Sequence, residues 1–272
     1  MYSFESRVRF SEIDGNGLLS IPALVNYLQD CATFHSVAVG MWPQHVAQTG
    51  RTWLLSAWEI EIDRLPHFGE DIIVSTWATG FKGLRANRNL TICSADDEGR
   101  EHPLVRADSS WFMFDMRTGK PIRIPTEEAD PYRSDIERDA PLDMPPIPRS
   151  IRASDEGTLK TPVTVAASLL DTNGHVNNAQ YVSLALGALE ESEAKDGVGE
   201  AAEDPLAHFM AMDDTRNPIH RLDVHYSRAA KLGDVICPHV HRGDDGSKTI
   251  TLDDEAAKPY AIVRFTPRAE AR

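Results

Sequence analysis

The densest set of groups able to do chemistry is Asp171-Thr172-Asn173-Gly174-His175-Val176-Asn177-Asn178. An acid, an amide and an imidazole at alternate positions project toward one pocket where the segment is extended. A carboxylate or imidazole can deprotonate water or another nucleophile. An amide N–H, together with backbone N–H groups at the start of a following helix, can stabilise an oxyanion. The plain alternative is an Asx-rich helix entry in which Asp and Asn only cap. An earlier echo bears on that choice. Ile13-Asp14-Gly15-Asn16-Gly17-Leu18 repeats the acid, the amide and the glycine, but Leu18 stands where the later copy has His175, and the paired asparagines are gone. The capping residues recur and the titratable one does not. One active site and one retired site would leave that asymmetry.

Other candidate clusters are weaker. Glu12 to Leu19 resembles half of a calcium loop, with Gly17 at the sharp turn, yet the bidentate carboxylate such a loop needs at its twelfth position is replaced by Ala23. Cys237, His239 and His241 alternate and would share one face of a strand. Ligands at i, i+2 and i+4 along one strand do not easily converge on one ion, so no metal site is expected. The chain has no GxSxG elbow, no HExxH, no GxxxxGK[ST] loop and no complete GxGxxG. Hydrolase-elbow, zincin, nucleotide-hydrolysing and dinucleotide-binding readings lose their weight, and no cofactor is expected.

The elements that must position the motif come twice. Each copy follows a strand-like run (6–10 and 161–166) and precedes an apolar helical segment. Further on, Ile62-Asp63-Arg64 through Phe68-Gly69-Glu70-Asp71 matches Tyr226-Ser227-Arg228 through Leu232-Gly233-Asp234, again before an alternating β-branched run. The shared order of the two echoes predicts duplication. Ser20 is the expected N-cap of the first helix, with Pro22 in its first turn and Ile21, Leu24, Val25, Leu28, Cys31 and Ala32 on one face. The second helix, with Tyr181, Val182, Leu184, Ala185, Leu186, Ala188 and Leu189, is apolar nearly all round and is expected to be buried. Strands are expected at 53–62, 72–79, 87–94 and 109–115, then at 222–226, 234–241, 248–253 and 260–266. One buried helix followed by antiparallel strands in each half predicts an α+β chain, a double hotdog in which a sheet wraps a central helix twice.

A stretch holding Pro121, Pro125, Pro131, Pro141, Pro145, Pro146 and Pro148 separates the copies. Proline removes a backbone donor and restricts its predecessor, so an extended linker is expected from about residue 117. Domains 1–150 and 151–272 follow from it. An acidic segment at 190–204 reads as a frayed helix end or a loop insertion.

The chain has 272 residues, of which 28 are Lys or Arg and 42 Asp or Glu, a net charge of −14. That balance disfavours nucleic-acid binding and an electrostatic hold on an anionic membrane. Three cysteines without CxxC spacing suit a reducing compartment. No secretory signal is readable at the N-terminus and no apolar run approaches the ~20 residues that span a bilayer, so a cytoplasmic protein is expected. A homodimer is compatible with the sequence and is not specified by it.

The motif resembles the signature of the acyl-acyl carrier protein (ACP) thioesterases, plant plastid and bacterial double-hotdog enzymes that release fatty acids. The matching residues are Asp171-x-Asn173-x-His175-Val176-Asn177-Asn178, Pro66-His67-Phe68-Gly69-Glu70 with Thr76-Trp77, Ser110-Trp111-Phe112-Met113 leading to Arg123-Ile124-Pro125, and 222–228 with Gly233-Asp234. The resemblance spans about residues 3–267. It implies that Asp171, Asn173 and His175 form the active site: Asn173 polarises the thioester carbonyl, and His175 with Asp171 positions and deprotonates water. It implies hydrolysis of an acyl-ACP to a fatty acid and free carrier protein, as the terminating step of fatty acid synthesis. The first hotdog, without a histidine, is then expected to shape the acyl pocket, with 21–32 and 53–58 as candidate lining.

The plant pattern adds a Glu-Cys pair after Tyr-x-Arg. By alignment to Tyr226-Ser227-Arg228 those positions are Ala229 and Ala230, which removes a cysteine nucleophile there and favours direct attack by water. Because acyl carrier proteins are acidic, docking requires a local basic patch, for which Arg85 and Arg88 are the candidates. Alternatives within reach of the same residues are an acyl-coenzyme A thioesterase, a non-catalytic acyl-binding module and, more weakly, a dehydratase of hydroxyacyl thioesters.

Overall fold

The computed structural model describes residues 1–154, 156–195 and 217–268. The chain divides into two compact units, Met1–Ser11 with Asn26–Ile147, and Glu12–Val25 with Pro148–Arg272.

In the first unit the strands are β1 (Tyr2–Arg7), β2 (Arg51–Ile62), β3 (Asp71–Lys82), β4 (Arg85–Ser94), β5 (Val105–Asp115) and the short β6 (Lys120–Pro121). They lie in the order β1-β3-β4-β5-β2, with β6 on β5 and every pairing antiparallel. Alternating β-branched and aliphatic side chains make these segments strands and give each an inward face. Residues 26–38 of helix α1 (Ile21–Ala38) lie against this sheet, and a short α2 (Gln44–Thr49) follows. Cys31 Sγ on α1 donates to the Val74 carbonyl on β3 at 3.5 Å. Phe4 of β1 packs against Tyr27 and Phe34 of α1, at 6.3 and 5.3 Å between ring centres. Leu28, Ile60, Val74, Leu90, Ile92 and Ala107 are fully buried. Burial of each large aliphatic side chain contributes ~1.5–3 kcal/mol.

The second unit repeats the plan. Its strands are β7 (Thr158–Leu159), β8 (Val163–Thr164), β9 (Ile219–Tyr226), β10 (Val235–Arg242), β11 (Lys248–Asp253) and β12 (Pro259–Pro267), in the order β9-β12-β11-β10, with β7 and β8 both pairing with β10. Helix α5 (Asn178–Lys195) packs on β10, β11 and β12. It is less enclosed than its sequence predicts. Ser183, Gly187, Glu190 and Ala194 form an exposed stripe, and Leu184, Leu186 and Leu189 are half-buried. The segment 190–204 ends this helix as far as residue 195; its remainder, 196–204, lies outside the described residues.

The duplication extends to individual hydrogen bonds. Val8 N–H donates to the Glu70 carbonyl and Gly69 N–H to the Val8 carbonyl, both at 3.0 Å; Val165 with Asp234 and Gly233 does the same at 2.8 and 3.0 Å. These paired contacts explain why the runs 6–10 and 161–166 are not strands throughout. Each has one residue bonded to a neighbouring turn and then enters a 3-10 helix, Phe10–Glu12 or Ala167–Leu169.

The proline-rich segment is only partly extended. It forms α3 (Thr126–Ala129), a 3-10 turn at Asp130–Tyr132 and α4 (Arg133–Arg138) before running without regular structure. Pro125 sits at the N-cap of α3 and Pro131 in the first turn of the 3-10 segment, where the missing N–H has no partner to lose.

Arg88 is not a surface residue. Its Nη1 donates to His35 Nδ1 at 2.8 Å and to Thr76 Oγ1 at 3.1 Å, and its guanidinium faces the Tyr132 ring at 5.3 Å. The expectation of a docking patch at Arg85 and Arg88 therefore fails for Arg88, whereas Arg85 is exposed. His35 also faces Asp135, 3.7 Å away. Burial, aided by Arg88, pulls the His35 imidazole down to about 4, so it stays neutral and accepts from the guanidinium.

Cys31, Cys93 and Cys237 are free thiols. Among the described residues no helix is long and apolar enough to cross a membrane.

Candidate functional site

The Asp171–His175 segment is a tight turn rather than an extended run, and the aspartate builds it. Asp171 Oδ1 accepts the backbone N–H of Asn173 at 2.8 Å and of His175 at 3.2 Å. Asp171 N–H donates to the His175 carbonyl at 2.7 Å, and Gly174 N–H to the Asp171 carbonyl at 3.1 Å. Gly174 has φ +71°, a conformation open to glycine without strain. Asp171 and His175 are half-buried and Asn173 is exposed. The Asn173 amide Nδ2 is 3.5 Å from Asp171 Oδ2, at the limit of a hydrogen bond.

Asn177 caps α5: its Oδ1 accepts the Ala179 N–H at 2.9 Å and its carbonyl the Gln180 N–H at 2.9 Å. Two of the helix-start N–H groups are thus already bonded, which leaves the exposed Asn173 amide as the clearest donor for an oxyanion at this turn.

The Ala229-Ala230 position lies beside this turn. Val176 N–H donates to the Ala230 carbonyl at 2.9 Å, and His175 forms an antiparallel bridge with Lys231. Ala230 is wholly buried and Ala229 exposed. Two tyrosines that the sequence reading absorbed into apolar runs also act here. Tyr226 Oη donates to the Asn178 carbonyl at 3.1 Å, and Tyr181 Oη accepts the Ala230 N–H at 2.8 Å. Burial pushes the Tyr181 phenol up to about 12 and that of Tyr226 higher still, so both remain protonated. The signal that could have found them is in the repeat, which has Leu24 and Ile62 at the matching positions.

The first turn has the same bonds. Asp14 Oδ1 accepts the N–H groups of Asn16 and Leu18 at 2.8 and 3.1 Å, and Gly17 has φ +78°. Asp14 therefore serves the turn, as Asp171 does. Ser20 caps α1 as predicted, its hydroxyl accepting the Ala23 N–H at 3.4 Å. Leu18 is 1% exposed, a core residue where the later turn has His175.

Cys237, His239 and His241 do not converge. His239 Nδ1 lies 3.1 Å from Asp253 Oδ2. His241 is buried against Gly157, where a Cβ would come within 2.3 Å of its ring. Among the described residues no three His, Cys, Asp or Glu side chains are grouped to hold a metal ion. Burial raises all three cysteine thiols, Cys31 to about 12, so none is a thiolate at neutral pH.

Two sequence repeats, each a turn, a helix and a set of antiparallel strands, define a double hotdog. Solved structures of the same fold include an acyl-ACP thioesterase from Bacteroides thetaiotaomicron, with a TM-score of 0.78, 21% identity and coverage of 98% of this chain and 97% of that one. A 12:0-ACP thioesterase from Umbellularia californica aligns with a TM-score of 0.75, 17% identity and coverage of 98% and 97%. Residues 1–132 match the acyl-ACP thioesterase N-terminal domain. The first part of the chain is thus similar to the N-terminal domain of the acyl-ACP thioesterases. Among curated relatives, the chloroplastic palmitoyl-acyl carrier protein thioesterase of Arabidopsis thaliana is 25% identical over 262 residues, which is 89% of this chain and 60% of that protein. The chain thus spans about 60% of that relative's length.

Proposed function

We propose that the protein hydrolyses acyl-ACP thioesters to a free fatty acid and the carrier protein, ending fatty acid synthesis in the cytoplasm, with Asp171, Asn173 and His175 as the site. The observation that carries the reading is the substitution of Leu18 by His175 in two turns that are otherwise bonded alike. In this mechanism water attacks the thioester carbonyl carbon and gives its proton to the His175 imidazole. The Asn173 amide donates to the oxyanion that forms. The oxyanion collapses, the C–S bond breaks, and the departing sulfur takes the proton from the imidazolium, so the products are a carboxylic acid and a thiol. Asp171 fixes the turn through Oδ1 and orients the Asn173 amide through Oδ2. The raised thiols and Ala230 support direct attack by water over an acyl-cysteine intermediate. In the division of labour we propose, domain 151–272 carries the chemistry. Domain 1–150 holds the acyl chain, with α1 and the 53–58 stretch of β2 as its lining, and exposed Arg85 contributes to docking of the acidic carrier.

Parallel kinetics on acyl-ACP and acyl-coenzyme A thioesters of graded chain length test the reading. A kcat/KM at least tenfold higher on the carrier-protein substrate is expected. A preference for coenzyme A, or no turnover of either, overturns it.

A further inference from the structure

We infer that Tyr181 and Tyr226 are positioning residues for His175, a pair of phenol hydroxyls that lock the catalytic turn and the start of α5 to the Ala229–Ala230 segment. The inference rests on the reading of His175 as the base.

The geometry is a closed set of short links. Tyr226, the last residue of β9, donates its hydroxyl to the carbonyl of Asn178, the first residue of α5. Tyr181, one turn into α5, accepts the N–H of Ala230. Ala230 is thereby held on both sides, its N–H by Tyr181 and its carbonyl by Val176, next to the His175–Lys231 bridge. The two rings pack edge to face with centroids 5.9 Å apart. Burial keeps both phenols protonated at neutral pH.

The internal repeat separates this role from ordinary packing. The first copy has Leu24 and Ile62, both fully buried, where the second has Tyr181 and Tyr226, and it has Pro66, which has no N–H, where the second has Ala230. Even so, the Asp14 turn has the same hydrogen bonds as the Asp171 turn. The turn thus forms without the phenols. Burying a hydroxyl is unfavourable unless it is bonded, and aliphatic side chains fill the same positions in the first copy. At these two matched positions, phenols stand in the copy with a histidine and aliphatic side chains in the other. A base misplaced by about 1 Å can lose up to ~10²-fold in rate, which is the scale on which such a lock matters.

The test is a mutant cycle in the full chain with an acyl-ACP substrate. Tyr181→Phe and Tyr226→Phe should each lower kcat by about 10- to 100-fold with KM changed less than about threefold. In a His175→Ala background the same substitutions should change the residual rate less than about twofold, because the phenols act through the imidazole. Equal losses in both backgrounds would mean a merely structural role and overturn the inference, as would an unchanged kcat in the single variants. Should a Phe variant be poorly folded, the NMR signal of the His175 ring, identified by its absence in His175→Ala, is read in the other; an unmoved signal also overturns the proposal. Full activity of His175→Ala itself would instead overturn the assignment of the base.

Discussion

The turns at Asp14–Leu18 and Asp171–His175 are the same piece of backbone used for two ends. In each, an aspartate Oδ1 receives two N–H groups, an asparagine sits at the tip, and a glycine at positive φ closes the turn. In the first, the next side chain is Leu18, sealed in the core; in the second it is His175, half-buried. The comparison separates scaffold from chemistry. The repeated Asp is explained by the turn, so its presence alone does not mark an active site. What differs is the imidazole, the phenols behind it and the paired asparagines after it. The first unit does contain buried titratable groups, Arg88, His35 and Asp135, but they are turned toward each other.

Substitutions at matched positions sharpen this contrast. Asn173→Ala should lower kcat on acyl-ACP by about 10²- to 10³-fold, the usual loss of one oxyanion donor, while Asn16→Ala should leave it within about twofold. Steady-state rates check both; similar effects at the two sites would erase the distinction. A second test concerns stability. His35 is neutral when folded down to about pH 4 but charged below about 6.5 when unfolded, so its contribution is present above 6.5 and lost as pH falls toward 4. His35→Gln, which preserves an acceptor for Arg88, should flatten the acid limb of denaturant-measured stability; an unchanged slope would show that His35 does not carry it.

Smaller effects follow. Asp14→Ala removes the acceptor of two backbone N–H groups and should lower stability by roughly 1 kcal/mol without changing kcat. Asp171→Ala should destabilise similarly and slow turnover as well, and comparison of unfolding midpoints with rates separates the two. Replacing Cys237 with Ser should change kcat/KM by less than about twofold, and intact-mass measurement during turnover should find no acyl adduct. An adduct on any cysteine would contradict attack by water.

Much of this was legible in the sequence. The order of the echoes exposed the duplication, Ser20 marked a helix start, and alternating aliphatic residues located every long strand to within a few residues. Short-range chemistry leaves such traces because the partners lie close in the chain. Arg88 did not, because its acceptors, His35 and Thr76, come from other elements and the burial of a cation is decided by tertiary contacts. Tyr181 and Tyr226 passed for core residues because a phenol's apolar body follows the helical or strand pattern and only its hydroxyl reports a partner. The short helices after Pro125 and Pro131 were missed because proline signals a break and a first turn equally well.

The central claim is that one side chain separates a working turn from a structural one. His175→Leu copies the first turn's residue into the second and tests it directly, by the rate of fatty acid release from an acyl-ACP. A loss of about 10³-fold or more is expected, with the circular dichroism spectrum and the unfolding midpoint little changed. Activity within tenfold of the native chain would contradict it.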